Sequence, residues 1–155
     1  MKKLTTLLII VITLNINAQA YKERLSDSNI TIKHTDRDLF LATHDVAKYF
    51  GIKERIIVYR LNRSSQNDAM VIKKDNEYHI YIKSMGWYEK ALVHEFIHIL
   101  QFKSGDLVVN GNEWIYKGVK GYGNKHQPFE WDAKKEANKH KRVTMRPLSS
   151  NFSFC

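Results

Sequence analysis

The run Ala91-Leu92-Val93-His94-Glu95-Phe96-Ile97-His98-Ile99-Leu100 decides how this chain is read. It sets the pattern His-Glu-x-x-His inside an apolar stretch. On a helix, positions i and i+4 lie on one face, one turn apart. His94 and His98 can therefore present two imidazoles to one Zn²⁺, with Glu95 placed to act on a water at the metal. The competing reading is a chance match in a core helix. The flanks argue against it, because two histidines in a helix apolar on nearly every side are costly to bury unless something engages their nitrogens.

Working outward, Ser84 is a candidate cap for a helix from about Gly86 to Lys103, with Gly105 near its stop. Upstream, Arg55–Leu61, Ala69–Lys73 and Tyr78–Lys83 read as three strands, rich in β-branched and aromatic residues. Lys74-Asp75-Asn76-Glu77 joins the last two as a hairpin turn. Tyr78–Lys83 is also a candidate edge strand that pairs with an extended peptide; an ordinary interior strand is the alternative. Thr43–Phe50 reads as a short helix capped by Thr43 and stopped by Gly51. Residues 21–40 read as a loosely ordered lead-in.

Downstream, Leu107-Val108-Val109 and Trp114-Ile115-Tyr116 flank Asn110-Gly111-Asn112, a second hairpin signal. Lys117 to Gln127 reads as a glycine-rich loop; Gly118, Gly121 and Gly123 fit no phosphate-binding pattern. Pro128 sits where a helix's first turn tolerates it, so Phe129 to about Arg142 is the last helix. The expected class is α+β: a small, mostly antiparallel sheet packed on the metal helix, then a hairpin and a closing helix that carries a third ligand.

Residues 1–20 carry Lys2 and Lys3, an apolar run from Leu4 to Ile16, and Ala18-Gln19-Ala20. That is the pattern of a secretory signal peptide. The apolar run is shorter than the ~20 residues a membrane span needs, so no stable membrane anchor is expected. The chain is then exported, periplasmic or secreted, with one domain over residues 21–145 and a poorly ordered tail over 146–155. The formal charge of +9 reads first as a solvated basic surface; contact with an anionic cell-envelope partner is the alternative. No nucleic-acid module is visible. The single cysteine, Cys155, excludes an intramolecular disulfide, and a monomer is expected.

A catalytic zinc needs a third protein ligand and an open position. Glu130, in Pro128-Phe129-Glu130-Trp131-Asp132-Ala133, opens the last helix, and Ala133 and Ala137 give that helix a small-residue stripe for close approach. An acidic residue in a helix's first turn also suits the helix dipole. Asp132 is the runner-up ligand, or a residue orienting a ligand histidine from behind.

With these residues in place the chain resembles the compact gluzincin-type zinc metallopeptidases. HExxH is followed some thirty residues later by Glu-x-x-Ala, over roughly Arg55 to His140. The resemblance implies a zincin-like fold, His94, His98 and Glu130 as ligands, and Glu95 as catalytic base. The chain departs from the thermolysin-like pattern, having Lys134 where an Asp would follow the ligand Glu. It also has Ser104 and Gly105 where the metzincin extension would continue.

The function this implies is hydrolysis of peptide bonds in a peptide or protein substrate. Tyr116, Tyr122 and His126 lie in or near the loop before Glu130 and are candidate oxyanion donors, although aromatic packing is the simpler role for each. His79 reads as a surface strand residue, and His34, His44 and His140 as solvated. The alternative function is a non-catalytic, zinc-stabilised binding module of the cell envelope. Retention of Glu95 favours the enzyme, because a structural site needs no base.

Overall fold

The structure is a computed structural model and describes residues 29–32, 37–61, 69–83, 88–123 and 127–140. In order, the elements are β1 (Ile30–Ile32), α1 (Arg37–Phe50), β2 (Arg55–Leu61), β3 (Ala69–Lys74) and β4 (Glu77–Lys83). Then come α2 (Tyr88–Ser104), β5 (Leu107–Asn110), β6 (Glu113–Tyr116), β7 (Val119–Tyr122) and α3 (Pro128–Lys139). Helices and two small sheets make an α+β architecture. Among the described residues no helix is long and apolar enough to cross a membrane. The proposed signal peptide and the 146–155 tail lie outside the described residues.

The first sheet has the order β1-β2-β4-β3. It is mostly parallel, not mostly antiparallel: β1 pairs with β2, and β2 with β4, in parallel, and only β3 runs antiparallel to β4. Two features force this. Helix α1 carries the chain from β1 back to the start of β2, so the two strands point the same way. Strand β4 then inserts between β2 and β3, because it is buried on both faces through Tyr78, His79, Ile80 and Ile82. Strand β3, ending in exposed Lys73 and Lys74, is suited to an edge. The expectation of Tyr78–Lys83 as an edge is thus corrected. That strand is interior, and the edge is β3.

Helix α1 starts six residues earlier than Thr43. Leu39, Phe40, Ala42, Val46 and Ala47 are all buried at helical spacing. Thr43 is therefore an interior residue and not a cap; its hydroxyl donates back to the Leu39 carbonyl at 2.7 Å, which satisfies it within the helix. The stop at Gly51 is a Schellman turn. Gly51 has φ +65°, and its N–H and that of Ile52 reach the carbonyls of Lys48 and Ala47.

One core lies between α1, α2 and the first sheet, where Phe96, Leu92, Val93 and Ile99 of α2 meet Ile56, Val58, Ile80 and Ile82. Removing the Phe96 ring there would cost about 3–5 kcal/mol. A smaller cluster of Leu107, Trp114, Tyr116 and Phe129 joins the second sheet, β5-β6-β7, to the start of α3. The stretch read as a glycine loop contains β7. Gly121 makes that strand possible: a Cβ there would lie 2.1 Å from the Trp114 ring, so only glycine lets the strand pass beneath the indole.

Candidate metal centre

Helix α2 turns Leu92, Val93, Phe96 and Ile99 into the main core. The residues one step round the helix, His94 and His98, then face α3. Pro128 opens α3 with its fixed φ, and Ala133, fully buried, lets α3 lie close. Glu130 in its first turn reaches the two histidines.

His94 Nε2 lies 3.0 Å from Glu130 Oε2, His98 Nε2 lies 3.2 Å from Glu130 Oε1, and the two Nε2 atoms are 3.1 Å apart. Three donors bound to one zinc at tetrahedral angles and about 2.0–2.1 Å would stand roughly 3.3 Å from each other. Two imidazole nitrogens and a carboxylate at these separations form a group that could hold a metal ion. The site is graded in depth: the His98 side chain is 6% exposed, His94 25% and Glu130 46%.

Gln101, one turn beyond His98, is the residue sequence reading missed. It is buried; its Oε1 lies 2.8 Å from His98 Nδ1, and its Nε2 donates to the Phe129 carbonyl at 3.1 Å. Because the amide nitrogen is committed to Phe129, the oxygen accepts from Nδ1–H. In the neutral ring the lone pair of Nε2 is then aimed at the cluster. One side chain thus sets the tautomer of His98 and ties it to the turn that carries Glu130. The signal was present in the sequence as a polar residue three positions after His98, in the apolar run Ile99-Leu100-Gln101-Phe102.

Burial works to raise the Glu130 carboxyl, but hydrogen bonds from His94 and His98 outweigh it and hold the carboxyl down at about 2. Burial works against the charged His98 ring, and the hydrogen bond and charge of Glu130 outweigh it, so its pKa is raised. Glu95 is 4% exposed. Burial pushes it up to about 7, against the lowering effect of His98 and His94, and the Val71 N–H of edge strand β3 donates to its carboxylate.

The remaining expected residues fall elsewhere. Asp132 turns away from the cluster, its Oδ2 accepting from the Tyr116 hydroxyl at 2.7 Å and from Lys117 Nζ at 2.9 Å. Tyr116 is committed to that bond. Tyr122 is 63% exposed on β7 and donates to Glu113 at 2.6 Å; no contact joins it to the cluster among the described residues. His126 and His34 lie outside the described residues. His79 is not a surface residue: it is buried on β4 between Tyr59 and Glu77. His140 is also engaged, 2.9 Å from the Tyr49 hydroxyl, where it joins the end of α3 to the end of α1. A cavity of about 560 Å³ between α2, α3 and Lys117 is lined by none of His94, Glu95, His98 or Glu130.

No family model matches the chain, and neither a curated protein nor a solved structure matches it.

Proposed function

We propose that this chain is an exported zinc metallopeptidase of compact gluzincin type, with a zincin-like arrangement of β3, α2 and α3. The observation that carries the reading is the convergence of His94, His98 and Glu130, with the buried Glu95 carboxylate one residue from the first ligand. Two nitrogens and one oxygen suit zinc, and three protein donors leave a tetrahedral position open. A zinc ion held there supplies Lewis acidity, acidifying water and polarising the scissile carbonyl.

The chain's own residues do the rest. Glu95 takes the proton of the attacking water and delivers it to the leaving nitrogen. Gln101 holds His98 in one tautomer. The outer edge of β3 offers main-chain groups beside Glu95: Val71 N–H points that way, and by strand alternation so do the groups of Ala69 and Lys73. An extended peptide paired along that edge would run past Glu95.

The test is metal analysis of the purified protein together with cleavage of a peptide library. One zinc per chain and cleavage abolished in Glu95→Gln are the expected results. Stoichiometric zinc with no cleavage of any peptide would favour the binding-module alternative, and absence of bound metal after zinc loading would remove both.

A further inference from the structure

Helix α3 presents to solvent a face that the metal cluster does not use. Trp131 is 73% exposed, more than any other large apolar side chain described. Lys134 and Lys135, three and four residues on, share its side of the helix. Both are exposed, and neither forms a salt bridge among the described residues.

Three acids nearby are already paired with lysines. Asp132 is paired with Lys117 at 2.9 Å, Glu136 with Lys139 at 2.5 Å, and Glu113 with Lys120 at 3.3 Å. The Lys117–Asp132 pair also pins the β6–β7 turn beside α3. Across the turn Val119, 61% exposed, pairs with Tyr116, on the sheet face that packs toward α3. The surface therefore alternates apolar side chains with cations, and these three carboxylates are each matched by a lysine. The sequence continues basic beyond α3 with Lys141, Arg142 and Arg146.

We propose that this face, centred on Trp131, Lys134 and Lys135, docks on an anionic phospholipid surface. An indole suits the boundary between headgroups and acyl chains, and lysine stems lie along the apolar layer while their ammonium groups reach the phosphates. A protein partner fits less well, because lysine is depleted at the centre of protein interfaces and here it flanks Trp131. A polyanionic polymer would engage the lysines and leave Trp131 in water. The proposal is independent of the metal cluster and does not need the protein to be a peptidase.

The full chain is sedimented with phosphatidylcholine vesicles and with vesicles containing about one third phosphatidylglycerol. The increment between the two is read, because the apolar stretch Leu4–Ile16 contributes to both. Wild type should show the increment, and raised salt should remove it. Replacing both lysines (Lys134→Gln with Lys135→Gln) should lower the partition coefficient about thirtyfold. Trp131→Ala should lower it about tenfold and abolish the blue shift of tryptophan emission on vesicle addition. The same charge change off this face, on α1 and the turn after it (Lys48→Gln with Lys53→Gln), should leave partitioning nearly unaltered. All variants sit on exposed positions and should keep wild-type circular dichroism. The proposal is overturned if phosphatidylglycerol gives no increment, if the two lysine pairs have equal effects, or if Trp131→Ala keeps the emission shift.

Discussion

Two buried histidines among the described residues have both ring nitrogens engaged, and they end in different chemistry. His79 on β4 has Nδ1 3.1 Å from the Tyr59 hydroxyl and Nε2 2.7 Å from Glu77, with its ring stacked on Tyr59 and Tyr59 stacked on Tyr81. The chain of partners closes on the sheet and ends at the surface, where Glu77 meets Arg55 at 3.6 Å. His98 on α2 has one nitrogen held by Gln101, while the other meets a second histidine and a carboxylate from another helix. Burial alone shows only that a histidine has partners. Three donors meeting within 4.8 Å of one another, from two elements, are what set a candidate ligand apart from a satisfied core residue.

The largest effect should come from Glu95, which belongs to the His98 side of this comparison but ligates nothing. Glu95→Gln should keep zinc and fold and lower hydrolysis by about 10²–10⁴-fold or more. Full activity in this variant would mean that water is activated elsewhere. Next, His94→Ala or His98→Ala should abolish stoichiometric zinc, whereas His79→Ala should retain it. Zinc kept by a chain lacking both His94 and His98 would erase the distinction between the two histidine environments.

How much of this was legible beforehand follows from how local each signal is. The pairing of His94 with His98 is a property of one helix turn. Glu130 was readable because Pro128 fixes a helix start and Ala133 and Ala137 mark a close-packing side. Strands β2 to β4 and the hairpin between β3 and β4 carry their own alternation and turn residues. Side-chain alternation assigns faces but not neighbours, so the order β1-β2-β4-β3 and the interior place of β4 were hidden. Three-residue β1 gains its identity only by pairing with Ile56–Val58. The burial of His79 depends on Tyr59, twenty residues away. Gln101 and Val71 matter through contacts that no spacing rule predicts.

The first two acids of α3, Glu130 and Asp132, sharpen the comparison from the other helix. Glu130→Ala should weaken zinc far more than Asp132→Ala, because Asp132 serves Tyr116 and Lys117. Competition with a chelator measures both, and the reverse order would move the third ligand. Gln101→Leu should cost about tenfold to a hundredfold in zinc affinity, the usual range for a group that orients a ligand histidine. If Gln101→Glu, which can still accept from Nδ1–H, recovers most of that loss, the effect is one of orientation and not of packing.

The smallest effect tests the His79 side. Tyr59→Phe removes only the hydroxyl facing Nδ1 of His79, leaving the aromatic stack in place. A half-buried ring nitrogen that loses its partner should cost about 1–2 kcal/mol of stability, a drop of a few degrees in Tm for a domain of this size. The stabilisation that zinc adds depends only on its affinity and concentration. The shift in Tm on adding zinc should therefore be the same in Tyr59→Phe and wild type, although both curves of the variant start lower. The separation rests on geometry: His79 lies on the face of the sheet opposite Ile80, and Ile80 is the side that packs toward α2. A zinc-induced shift that shrinks in Tyr59→Phe would show that the two histidine environments are coupled through the sheet, and their division into a structural and a ligating centre would fail.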